Sequence, residues 1–153
     1  MWKTYLYTRR PCPSRYLPIL FNAIKAASFP QTFLGVSDEG IASAVSTAGN
    51  PHCHLILRGG ENGPNFDGDS IKATRDTLLK NKLAPGIMVD ASHANCGKKS
   101  EQMPAVFEEI VRQRAAGDTT VIGAMLESHL VAGNQKFPQP LDQLTYGPAS
   151  YPH

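Results

Sequence analysis

Cys53-His54-Leu55-Ile56-Leu57-Arg58-Gly59-Gly60 is a short apolar run that ends abruptly in an arginine and two glycines. Continuous apolar residues, as opposed to alternating ones, mark a strand covered on both faces, which is the habit of parallel sheets. The same layout returns twice downstream. Ile87-Met88-Val89 ends in Asp90-Ala91-Ser92-His93, and Val121–Leu126 ends in Glu127-Ser128-His129. Two stretches with helical spacing separate these runs. The first, from about Asp69 to Asn81, puts Ile71, Leu78 and Leu79 on one face. In the second, from about Glu101 to Ala116, Met103, Val106, Phe107, Ile110 and Val111 form the apolar stripe of a helix, and Gly117 is placed to stop it. Strand starts fall about 32–34 residues apart. The economical reading is β-α-β-α-β, with parallel strands and right-handed crossovers.

Upstream, Leu17, Leu20, Phe21 and Ile24 recur at helical spacing within 16–27, and Pro30 follows as a stop. Two short runs, Thr32–Val36 and Ile41–Ser46, flank Ser37-Asp38-Glu39-Gly40 and read as a hairpin with a four-residue loop. The first fifteen residues read as a strand-like arm interrupted by Pro11 and Pro13. From Ala132 onward the chain is rich in Gly, Pro, Gln and Asn and reads as loop. No linker divides it, so one unit is expected.

Composition narrows the class. The 153 residues are 41% hydrophobic and 18% charged, with a formal net charge of +2. A chain this apolar and weakly charged is expected to collapse. Its balance of 15 basic and 13 acidic residues, without a basic block, leaves no electrostatic footprint for nucleic acid or a membrane surface. No stretch reaches the roughly 20 apolar residues of a membrane span, and the start lacks a signal-peptide pattern. Three cysteines, Cys12, Cys53 and Cys96, make no disulfide framework and fit a reducing, cytoplasmic setting.

The three strand ends carry the candidate chemistry, because ligands in parallel α/β folds bind where strand C-termini and the following loops converge. Arg58 with Gly59 and Gly60 suits an anion: a guanidinium fork beside glycines that let backbone N–H groups approach. Arg58 equally suits a surface ion pair. His93 and Glu127 offer one nitrogen and one oxygen for a divalent metal, or are polar residues that simply close their strands. His52 and His54 fall on the opposite face from Cys53, which argues against a Cys/His site there. Cys96 follows His93 without the second pair that would complete a zinc site.

Three strings, Gly49–Gly60, Asp90–Asn95 and Glu127–Gln135, resemble the type I, microbial form of 3-deoxy-D-arabino-heptulosonate-7-phosphate (DAHP) synthase. Phe33-Leu34-Gly35-Val36 with Gly40 resembles that family's hairpin. The likeness runs collinearly from roughly Leu17 to Gly147. It implies an α/β fold, the C-terminal part of a (β/α)8 barrel. About strands 6–8 with their helices would be present, together with an inserted β-hairpin. The barrel would be incomplete, since a full one needs ~200 residues at least. The implied domain layout is an unmatched arm over 1–15, the partial barrel over 16–147 and an unmatched tail over 148–153.

The resemblance also implies a function: condensation of phosphoenolpyruvate with erythrose 4-phosphate, the first step of the shikimate pathway to aromatic amino acids. Arg58 matches the arginine that holds the phosphate of phosphoenolpyruvate. His93 and Glu127 match two ligands of a divalent metal of the Mn, Fe or Co type. The family's first four strands, its cysteine ligand and several phosphate-binding Arg and Lys residues have no counterpart. Pro11–Arg15 stand where a Lys-bearing strand belongs, 148–153 replace the segment with an aspartate ligand, and Glu61 stands where lysine is common. The implied chain is a truncated synthase, inactive alone, with weak or absent metal binding. It would self-associate or associate with a full-length synthase. A non-catalytic regulatory or partner-binding module is the alternative, and an enzyme completed by a separate chain is a third reading.

Overall fold

The computed structural model describes residues 6–7, 17–60 and 63–152. Pro11, Cys12 and Glu61 lie outside the described residues. A four-stranded sheet forms the centre: β1 (Leu6–Tyr7), β4 (Leu55–Leu57), β5 (Ile87–Asp90) and β6 (Val121–Met125), side by side in that order and all parallel. Helix α2 (Gly68–Lys80) connects β4 to β5, and α3 (Met103–Ala115) connects β5 to β6. The expected β-α-β-α-β unit is therefore present, with 87–90 between the other two strands. Helix α1 (Leu17–Ser28) leads into a separate hairpin of β2 (Gln31–Val36) and β3 (Ala42–Thr47), paired from Gln31↔Thr47 to Val36↔Ala42.

Strand parity decides where the core sits. Leu55, Leu57, Ile87, Val89 and Val121 join one buried cluster with Phe21 and Ile24 of α1, Ile71 and Leu78 of α2, and Val106 and Ile110 of α3. All three helices thus share a core with one face of the sheet. Ile56, of the opposite parity, is also fully buried, which explains why β4 reads as an unbroken apolar run. Each such side chain contributes roughly 1.5–3 kcal/mol of hydrophobic free energy.

The helices start and stop for local reasons. Asp67 caps α2, its carboxylate accepting the Ser70 N–H at 2.9 Å, and Lys80 lies in the last turn. A single 3₁₀ turn, Ser100–Gln102, leads into α3, which carries Pro104 in its first turn and Arg112 and Arg114 in its last. Both apolar stripes prove narrower than their spacing predicts. Leu79 is 52% exposed and Val111 49% exposed, with Phe107 exposed as well. Each helix meets the sheet along one line of residues, so flanking stripe positions stay at the surface. On α3 that line ends in Gln113, whose amide donates to the Phe66 carbonyl at 3.0 Å and ties the helix to the loop before α2.

The tail also differs from expectation. Instead of loop, β7 (Asn134–Phe137) pairs in parallel with β8 (Ala149–Pro152) around a 3₁₀ turn at Leu141–Gln143. The Gln135 amide accepts the Thr145 N–H at 2.9 Å and donates to the Thr145 carbonyl at 2.8 Å. A side chain thus acts as a strand partner in the connection, and β7 lies mostly at the surface, so no apolar alternation announces it. No helix among the described residues is long and apolar enough to cross a membrane.

Candidate functional site

One irregularity of the sheet aims the site. Ile87 pairs with Val121, but Met88 pairs with Gly123, so β6 carries an extra residue, Ile122, at a bulge. Side chains alternate with a period of two, so a one-residue shift moves everything beyond it to the other face. Past the bulge Asp90 pairs with Met125, and the chain then delivers Glu127 beside the turn that follows β5. The Glu127 N–H is held there at 2.8 Å by the Ser92 hydroxyl oxygen, and that hydroxyl points to the Met103 sulfur at 3.2 Å.

The turn after β5 is unusual. His93 sits at φ +56°, a left-handed conformation uncommon for a residue with a side chain. Its carbonyl accepts the Lys98 N–H at 2.7 Å and the Cys96 thiol at 3.4 Å, which closes the loop over itself. Residues held in such conformations cluster at active sites and ligand clamps.

The structure brings the three residues expected from the sequence, Arg58, His93 and Glu127, to one end of the sheet. His93 Nε2 stands 3.3 Å from Glu127 Oε1. His93 Nδ1 stands 2.9 Å from Oδ2 of Asp90, and the same oxygen lies 4.0 Å from Nε of Arg58. Asp90 links the whole set, and sequence reasoning had not singled it out. The signal was there: an acidic residue ends an apolar strand at the parity of Met88. The residue is 1% exposed, and Oδ1 accepts the Ser92 N–H at 2.8 Å.

Asn65 and Asn95 were likewise missed. Asn65 Oδ1 accepts the Gly59 N–H at 2.7 Å, and Asn95 Oδ1 accepts the Asn65 N–H at 2.9 Å. Asn95 Nδ2 donates to the carbonyls of Asp90 at 2.7 Å and Leu57 at 3.2 Å. The two amides stitch the ends of β4 and β5 together. They also revise the reading of Gly59 and Gly60. The Gly59 N–H is taken by Asn65 and the Gly60 N–H by the Gly63 carbonyl at 2.9 Å, so neither is directed at an anion. Gly59 is needed for close packing instead, since a Cβ there would lie 2.7 Å from the Ala94 carbonyl carbon and the Asn95 nitrogen.

Chemically, a histidine nitrogen and a carboxylate oxygen this close suit a shared divalent ion. Two ligands each about 2.0–2.2 Å from one metal lie roughly 3 Å apart. Among the described residues no group of three or more His, Cys, Asp or Glu side chains gathers to hold an ion. Both groups line a cavity of about 540 Å³ that also includes Lys98, Met103 and His129 but not Arg58.

Comparison with known proteins decides the lineage. The model of the DAHP synthetase I family matches residues 18–150. The chain belongs to this family. It is 42% identical over 123 residues to a phospho-2-dehydro-3-deoxyheptonate aldolase of Alternaria alternata, covering 80% of this chain and 33% of the relative. It is 44% identical over 119 residues to the Corynebacterium glutamicum enzyme of that name, covering 78% of this chain and 32% of the relative. The solved structure of the Francisella tularensis aldolase superposes with a TM-score of 0.76 at 34% identity, over 87% of this chain and 38% of that one. The chain therefore spans about a third of the length of these DAHP synthetase I relatives. Transferase chemistry in aromatic amino acid biosynthesis fits the family.

Proposed function

We propose that these residues form part of a DAHP synthase active site, which condenses phosphoenolpyruvate with erythrose 4-phosphate. The observation that carries this reading is the convergence of His93 Nε2 on Glu127 Oε1 at 3.3 Å, with Arg58 reached through Asp90 at the same strand ends. Strands β4, β5 and β6 would be strands 6–8 of a (β/α)8 barrel, an assignment supported by their parallel adjacency. Residues 16–147 would form the barrel portion, between an arm over 1–15 and a tail over 148–153. The reading carries a cytoplasmic setting with it.

In this reading Arg58 holds the phosphate of phosphoenolpyruvate through its planar donor fork. His93 and Glu127 hold a divalent ion of the Mn, Fe or Co type, which when bound polarises the aldehyde of the acceptor sugar. Burial of Arg58 and Asp90 behind the turn strengthens their pairing by excluding water. Condensation needs two anionic substrates and a metal held in one geometry, and such positioning supplies roughly 7–11 kcal/mol of barrier lowering. One arginine and two metal ligands do not meet that need, so the 153 residues alone are expected to hold the metal weakly at most and not to turn over. Exposed Leu34, Val36 and Ile41 on the hairpin support association with a longer synthase chain or with a second copy.

The test is a titration of the purified chain with phosphoenolpyruvate and Mn²⁺, alongside an assay for heptulosonate with both substrates. Arg58→Ala is expected to abolish phosphoenolpyruvate binding, with no product above a no-protein control. Binding untouched by Arg58→Ala sinks the phosphate role. Turnover abolished by His93→Ala sinks the inactive reading.

A further inference from the structure

We propose that Ser92 is a positioning residue of the site: its hydroxyl, steered by the Met103 sulfur, makes the last rung between β5 and β6 and so sets how far apart His93 and Glu127 stand. The inference rests on the reading of those two side chains as ligands, but it concerns a different residue and a bond that needs no metal.

The backbone ladder of the two strands leads up to this rung. The Ala91 N–H donates to the Met125 carbonyl at 2.9 Å. In a regular parallel ladder the Ala91 carbonyl would accept the next N–H of the neighbouring strand, that of Glu127. Here that N–H is held by the Ser92 hydroxyl oxygen at 2.8 Å. A rung made by a side chain reaches out from the turn beyond the strand, and the strand ends part there. Ser92, His93, Met103 and Glu127 all line the cavity of about 540 Å³ that opens at this point.

The direction of each bond is set by the groups themselves. A backbone N–H only donates, so the Ser92 oxygen accepts from Glu127. The hydroxyl hydrogen then needs an acceptor of its own, and the Met103 sulfur, which has no hydrogen to give, stands 3.2 Å away. Ser92 is buried at 3% exposure, where an unpaired hydroxyl is costly. Its backbone is anchored as well, by the bond from its N–H to Asp90 Oδ1 at 2.8 Å. Met103 is the first residue of α3 and packs against the core. The spacing of His93 and Glu127 is thereby referred to helix α3 as well as to the two strands.

The experiment follows the Ala91 and Glu127 amides of the full chain by ¹H–¹⁵N NMR with hydrogen exchange. It compares the unmodified protein, Ser92→Ala, Met103→Leu and the double variant. Met103→Leu conserves volume and is well tolerated in cores, yet removes the sulfur. In the unmodified protein both N–H groups are expected to resist exchange. Ser92→Ala is expected to lose that protection at Glu127 and to keep it at Ala91, a pattern that general destabilisation does not produce. Met103→Leu is expected to shift the Glu127 amide signal, and to add nothing in the Ser92→Ala background, because the sulfur acts through the hydroxyl. Mn²⁺ binding, read by water-proton relaxation, is expected to weaken roughly 10–100-fold in Ser92→Ala.

An unprotected Glu127 N–H in the unmodified protein, or protection kept in Ser92→Ala, overturns the proposal. Mn²⁺ affinity unchanged in a Ser92→Ala protein whose Glu127 N–H is released overturns it too. Equal effects of Met103→Leu in both backgrounds overturn the part given to the sulfur. Should Ser92→Ala fail to fold, the protection of Glu127 in the unmodified protein and its shift in Met103→Leu still decide the matter. If the unmodified chain binds no Mn²⁺, the metal-ligand reading fails while the two amides still judge Ser92.

Discussion

His93 Nε2 and Glu127 Oε1 lie 3.3 Å apart although they come from the ends of different strands, β5 and β6. In the metal-ligand reading proposed above each strand supplies one of the two ligating side chains, so loss of either leaves a single one. His93→Ala and Glu127→Gln are each expected to weaken Mn²⁺ binding at least about ten-fold, and the double variant little beyond either single one. Calorimetric titration of the three variants checks this. Additive losses across the pair would contradict a shared site in which each ligand depends on the other.

Gly59 and Gly40 allow a paired test of backbone against packing. Both have positive φ, +71° and +78°. A methyl at Gly40 meets nothing within 4 Å, whereas one at Gly59 would lie 2.7 Å from the backbone of Ala94 and Asn95. Gly40→Ala is expected to lose only the conformational term, about 1–2 kcal/mol. Gly59→Ala loses that term and also pushes β4 from the turn that bears His93, so its urea midpoint is expected to fall clearly further. Equal midpoints would show that the contact between β4 and the turn yields freely.

Asp67 ties the stability of α2 to pH. Partial burial pushes its carboxyl up, but hydrogen bonds from the Ser70 hydroxyl and N–H outweigh this and hold it below the ordinary value. The folded form therefore binds the proton more weakly than the unfolded chain does. Its contribution is complete above the unfolded value of about 3.9 and is lost as pH falls through the lower folded value. Asp67→Ala is expected to cost about 1 kcal/mol near neutrality, a difference that shrinks in acid. Thermal melts of both proteins from neutral to acid pH check it, and a difference that grows in acid contradicts it.

Much of the site was legible because its positions follow from local pattern. Arg58, His93 and Glu127 each follow an apolar run, and a strand end is a property of a few neighbouring residues. Asp90 was harder to see, because an acidic residue closing a strand is ordinary until its burial and its partners are known. Asn65 and Asn95 carried no local signal. Two of their bonds reach residues 30 and 38 positions away, farther than any window that reads a single helix or strand.

By itself the sequence determined the alternation of β4, β5 and β6 with α2 and α3, the hairpin, and which residues end those three strands, since hydrophobic periods and capping residues act over one or two turns of chain. The tertiary structure alone decided the rest. The bulge at Ile122 sets which face Glu127 takes, and it exists only as a register between β5 and β6. Which half of each helix stripe is buried depended on how the helices meet the sheet, leaving Leu79 and Val111 outside. The link from Arg58 through Asp90 to His93 likewise required β4 and β5 to be neighbours. Register and adjacency are relations between segments far apart in the chain, settled by packing and long-range hydrogen bonds.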